Sequence, residues 1–98
     1  MTAEQIDNIS SNWKKDSVGC LRLRDPKKMK ALTVQLKLVG QDSTKTLEYL
    51  GPPNASYGQG KDRHFLYFLE CGQGKTSYYN FYCHFRGDTI HSFTEAVF

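Results

Sequence analysis

The sequence predicts an α+β domain in which two short helices pack on one face of a three- or four-stranded antiparallel sheet. Three observations carry this reading. Apolar residues recur at helical spacing behind an Asp25-Pro26 start, the apolar period changes to two from Tyr57 onward, and Gly87-Asp88 separates two strand-like runs.

Residues 1–12 are polar and rich in Ser and Asn, and are expected to form a flexible lead-in, frayed or weakly helical, to a single domain over 13–98. The first helix is expected over about 26–38. Asp25 can cap the free amides of its first turn, and Pro26 suits a position whose N–H has no partner in any case. Met29, Leu32, Leu36 and Val39 then follow at intervals of three and four as one apolar stripe. A strand reading competes there, because Val34, Leu36 and Leu38 alternate. Gly40 is placed to end that helix. Asp42 or Ser43 opens a second, with Leu47 and Leu50 as its apolar residues, and Leu50-Gly51-Pro52-Pro53 closes it.

Phe65, Tyr67 and Leu69 alternate with Leu66 and Phe68 as a strand between Gly58-Gln59-Gly60 and Gly72-Gln73-Gly74. Further strands are expected over 77–86 and 89–97, joined at Gly87-Asp88, a two-residue turn that needs positive φ. An uninterrupted register from that turn pairs Arg86 with Thr89, His84 with His91, Tyr82 with Phe93, Asn80 with Glu95 and Tyr78 with Val97. Tyr79, Phe81, Cys83 and Phe85, with Ile90, Ser92, Thr94 and Ala96, would then face the helices.

A content of 39% hydrophobic and 13% aromatic residues supplies one core, with rings as its main buried area. No run approaches the length of apolar sequence needed to span a membrane, and the first residues have neither a basic start nor an apolar stretch of the secretory kind. The net charge of +3 is concentrated in residues 1–40, with eight Lys and Arg against four Asp and Glu. That is a mildly basic half rather than the strongly basic stripe of a nucleic-acid binder, so no nucleic acid is expected as a partner.

The cysteines lack the paired spacing of a structural zinc site. Cys20 and Cys71 lie in Gly-flanked, turn-like contexts and form the candidate disulfide of an oxidising compartment, with Cys83 as the odd, buried thiol. No cofactor motif is present, and Cys83 and His84 point to opposite faces of a strand, so they cannot act as nucleophile and base. The surface left to act is the sheet face away from the helices, where Tyr78, Tyr82, His84, His91 and Phe93 form the candidate partner-binding set. Aromatic residues interleaved with Arg are what protein interfaces enrich. The alternative is a small enzyme or metal-binding domain using His84 and His91, about 5 Å apart as cross-strand neighbours; it lacks a third ligand. Self-association to a homodimer is a further arrangement such a face or an open edge strand allows.

The run Trp13-Lys14-Lys15-Asp16-Ser17-Val18-Gly19-Cys20-Leu21-Arg22-Leu23-Arg24, followed by Leu47-Glu48-Tyr49-Leu50-Gly51-Pro52-Pro53-Asn54 and the Phe65–Leu69 strand, resembles small envelope proteins of Bacteroidetes-type bacteria. Their W-x-x-D-x-x-G-C-x-x-x-R opening is matched by Trp13, Asp16, Gly19, Cys20 and Arg24. The later LG-x-P segment, matched by Leu50, Gly51 and Pro53, is similar to the small lipoprotein of the outer-membrane β-barrel assembly machinery and to the repeats of β-lactamase inhibitor protein. The resemblance implies a helix-and-antiparallel-sheet fold, a non-catalytic binding or scaffolding role with a protein partner, and a periplasmic or outer-membrane location. That location requires a signal removed from the chain, and with it a lipid anchor; without one the chain is cytoplasmic. The chain departs from a lipoprotein in having no lipobox Cys behind a signal peptide. Trp13 is expected to cover a core edge, and Asp16 to pair with an Arg that fixes the N-terminal segment.

Overall fold

The computed structural model describes residues 1–58, 62–70 and 79–97. Among the described residues three helices, α1 (Ala3–Lys15), α2 (Pro26–Gln35) and α3 (Thr44–Leu50), precede four strands, β1 (Ala55–Tyr57), β2 (His64–Phe68), β3 (Tyr79–Arg86) and β4 (Thr89–Val97). The strands form one antiparallel sheet in the order β1-β2-β3-β4, so the α+β class is as expected.

The lead-in drawn over 1–12 is instead the body of α1, which crosses the boundary placed at Trp13. Thr2 and Gln5 form a reciprocal cap, each side chain bonding the other's backbone N–H. Ile6, Ile9, Ser10 and Trp13 then supply an inward stripe at intervals of three and four, and Ser10 Oγ donates to the Tyr49 carbonyl of α3.

α2 starts where Asp25-Pro26 predicts, with Asp25 Oδ1 accepting from the Lys27 and Lys28 amides. It ends at Gln35 rather than about 38. Lys37 takes a left-handed φ of 52°, its N–H bonds the Val34 carbonyl, and the Leu38 N–H bonds the Thr33 carbonyl. This is a left-handed helix stop made without glycine. Gln41 Nε2 completes it by donating to the Leu36 and Lys37 carbonyls. The reversal buries Leu38 and leaves Val39 exposed, against the expected stripe. In α3 the buried residues are Thr46 and Leu50, while Leu47 faces outward.

Trp13, Met29, Leu32, Leu38 and Leu50 from the helical half join Phe65, Tyr67, Leu69, Phe81, Cys83, Phe85, Ile90 and Phe93 in one core. The Trp13 ring stands edge-on to Tyr67 and Phe81 at 5.8 and 5.3 Å, which seats α1 on the sheet.

The hairpin turn holds Arg86 opposite Thr89 as expected, but the register shifts by one residue between His84 and Phe85. Phe85 pairs with Ile90, His84 with Ser92, Cys83 with Phe93 and Tyr82 with Thr94. His91 is thus the extra residue of a β-bulge, and every side chain beyond it changes face. The cause is burial. A continuous register would put Ser92 and Thr94 in the core and Phe93 outside; the bulge reverses this and removes a phenyl ring from water, worth about 1.5–3 kcal/mol.

Candidate functional site

The outer face of the sheet carries Tyr57 from β1, His64 from β2, Tyr82 and His84 from β3, and Thr94 and Ala96 from β4. These six line a shallow concavity of about 300 Å³. Cross-strand pairing assembles them: Tyr57 lies opposite His64, His64 opposite His84, and Tyr82 opposite Thr94. Tyr57 is exposed, and His64, Tyr82 and His84 are half-buried.

The two imidazoles are bonded to one another, with Nδ1 of His64 at 2.7 Å from Nδ1 of His84 and the rings edge to face at 4.9 Å. Such a contact needs a proton on one nitrogen and a lone pair on the other. The second nitrogen of His84 is 2.7 Å from Thr94 Oγ1, and Tyr82 stacks on the same ring at 5.8 Å, so three neighbours hold His84 in place. Burial, reinforced by the charges of His64 and His91, holds the His84 imidazolium below the ordinary range and favours the neutral ring. Tyr57 is pushed up by loss of water and then by the proximity of Tyr82.

Of the residues expected to bind a partner, Tyr82 and His84 stand in this concavity. Phe93 does not: the bulge turns it into the core, where it stacks with Phe81 at 5.9 Å. His91 is exposed at the bulge and does not sit opposite His84, so the expected His84–His91 cross-strand pair is replaced by His64–His84. Tyr78 lies outside the described residues. Tyr57, His64, Thr94 and Ala96 were not in the expected set. The signal for His64 is the pairing of the strand it begins, since β2 aligned on β3 brings His64 opposite His84.

Among the described residues, no three His, Cys, Asp or Glu side chains converge as metal ligands. Cys83 is a free thiol sealed in the core, pushed up to about 12 by burial, on the face opposite His84. Cys20 is disulfide-bonded, and the candidate partner Cys71 lies outside the described residues.

Trp13, Asp16, Gly19, Arg24 and Asn54 form a clamp on the end of β2. Asp16 accepts from the Leu21 and Leu23 amides and so folds the 16–24 segment into a tight loop, and its charge acts on Arg24 without a direct hydrogen bond. Arg24 is buried: Nε donates to the Trp13 carbonyl, and one terminal nitrogen donates to Asn54 Oδ1 and the Phe68 carbonyl. Its guanidinium lies 5.2 Å from the Trp13 ring centre and 5.7 Å from that of Tyr67. Burial lowers its pKa and the charge of Asp16 opposes that effect, so Asp16 serves it through space. Asn54 Oδ1 also accepts the Phe68 amide, tying the segment after α3 to β2. Gly19 completes the clamp. At a φ of 75°, a Cβ there would meet the Phe68 carbonyl oxygen and the Glu70 amide at 3.0 Å.

No helix among the described residues is long and apolar enough to cross a membrane. No family model, curated protein or solved structure matches the chain.

Proposed function

We propose that this chain is a non-catalytic protein-binding or scaffolding domain of the bacterial cell envelope, and that its partner docks on the outer face of the sheet. The observation that carries the reading is the concavity rimmed by Tyr57 and Tyr82 on the face opposite the core. Tyrosines at such a rim offer large contact area with a polar end, as protein interfaces favour. The other notable residues are already occupied, since Trp13, Asp16, Arg24 and Asn54 bond to one another's segments and hold the N-terminal loop. A disulfide at Cys20 fits an oxidising compartment, as an envelope location requires. The resemblance of the Trp13–Arg24 and Leu50–Pro53 motifs to envelope proteins supports the same placement.

The test is capture from source envelopes by the wild type and by a Tyr57→Ser, Tyr82→Ser double variant. These changes leave the core untouched, so folding is expected to survive. A partner retained by the wild type and lost by the variant supports the reading. Equal capture by both would move the docking surface elsewhere.

A further inference from the structure

We propose that the His64–His84 pair is a protonation-gated anion site that takes a carboxylate carried by the docking partner. The inference deepens the reading of the outer face as the binding surface and rests on it.

The two Nδ1 atoms lie 2.7 Å apart. With both rings neutral or only one protonated, a single Nδ1 proton lies between them and the hydrogen bond is kept; with both rings protonated, two N–H groups of two cations stand against each other. The pair must then part, or an acceptor must enter between the donors. A carboxylate does this well, because each of its two oxygens can accept from one imidazolium in a charge-assisted bond. His84 is fixed by Thr94 and Tyr82, so His64, at the first position of β2, is the ring free to swing. The concavity beside the pair has room for the acid's aliphatic stem, and its Tyr57, Tyr82 and Ala96 walls reduce the solvent screening of the ion pair.

The charges around the pair favour an anion. Tyr57 faces it from β1 and Tyr82 from β3, neither of them an acid group of the carboxylate kind. His91 of β4 acts on His84 as a like charge. Arg86 stands two residues beyond His84 on the same face of β3 and adds a cation. Arg63, beside His64, is turned away, over the Phe85 ring. Glu95 of β4 is on the opposite face and accepts from the Tyr79 hydroxyl. Asp62, two residues before His64, is exposed.

The experiment follows the ring signals of the folded chain by nuclear magnetic resonance. Acetate, or a blocked peptide with one Glu, is added at about pH 5 and about pH 8, on either side of the imidazole range, against chloride at equal ionic strength. Saturable shifts of both His64 and His84 are expected at the acid pH, with apparent affinity at least about tenfold weaker at the alkaline one, as loss of a strong charged hydrogen bond requires. Tighter binding of the peptide than of acetate assigns the acid to a docking partner, whereas equal binding assigns the site to free small acids. His64→Gln should abolish saturation and His91→Gln should leave it. His84→Gln should also abolish it, and if that variant fails to fold, His64→Gln alone decides. Absence of saturation at acid pH, equal affinity at both pH values, or the same response to chloride would overturn the proposal. Partner capture lost in the tyrosine variant without carboxylate binding here would sink this inference and leave the docking surface standing. Carboxylate binding with unchanged capture would leave an anion site at the pair but overturn both its assignment to a docking partner and the docking surface.

Discussion

At the residue scale, two aromatic side chains that the sequence groups together do opposite work. Phe93 is in the core, in contact with Phe81, so Phe93→Ala should cost about 3–5 kcal/mol as a large-to-small core change, read by chemical denaturation. Tyr82→Ser, on the outer face, should cost well under half as much; equal losses would mean the two share a face. His84 gives a signed pH dependence. Its native pKa is lowered, by burial first, so below the ordinary value of 6.5 the unfolded chain binds the proton more readily than the native one. That contribution to stability is complete above 6.5 and is lost as pH falls below it towards the native value. Melting temperature should therefore drop on acidification from about pH 7.5 to about pH 5 in chloride buffer, less steeply in His84→Gln. An identical slope in both would remove His84 from the account. In acetate buffer the drop should be smaller, because a ligand of the protonated native state stabilises it.

At the element scale, the sequence was legible where a local signal has one physical meaning. Asp25-Pro26 starts α2 and Gly87-Asp88 turns the hairpin, because capping and positive φ leave few alternatives. It was illegible where tertiary burial overrode the local pattern. Lys37 ends α2 in a conformation that usually calls for glycine, and Gly40 drew the expected end three residues late. Lys37→Gly should remove the left-handed strain and raise stability by up to about 1 kcal/mol; a loss would show that the Lys side chain earns the turn by other contacts. The bulge was hidden for a similar reason, since Ile90-His91-Ser92-Phe93 alternates acceptably in either register. Deleting His91 separates the two. As the extra residue, its loss leaves Ser92 opposite His84 and Phe93 opposite Cys83, so cooperative unfolding should persist at a cost of about 1 kcal/mol. Had the register been continuous, the same deletion would turn residues 92–97 inside out and the domain would not fold. The first helix escaped because Ser and Asn masked the Ile6, Ile9 and Trp13 stripe.

At the scale of the whole molecule, the two ends of the chain divide the labour. The Trp13–Arg24 segment and Asn54 lock α1, the 16–24 loop and the start of β1 to β2, using the buried Arg24 as a hub. That leaves the sheet's outer face to carry chemistry, and the bulge at His91 decides which β4 residues reach it. Tyr82 and His84 were readable as members of that face from strand alternation. Tyr57, Thr94 and Ala96 were not, because their membership depends on β1 pairing and on the bulge. There His64 and His84 meet, Nδ1 to Nδ1, across one proton. Nitrogen spectra of the imidazoles at about pH 8, above the ordinary imidazole range, test this. One of the two should be protonated at Nδ1 and the other at Nε2, with a coupling across the Nδ1–H···Nδ1 bond. Two rings both protonated at Nε2, titrating independently, would contradict it.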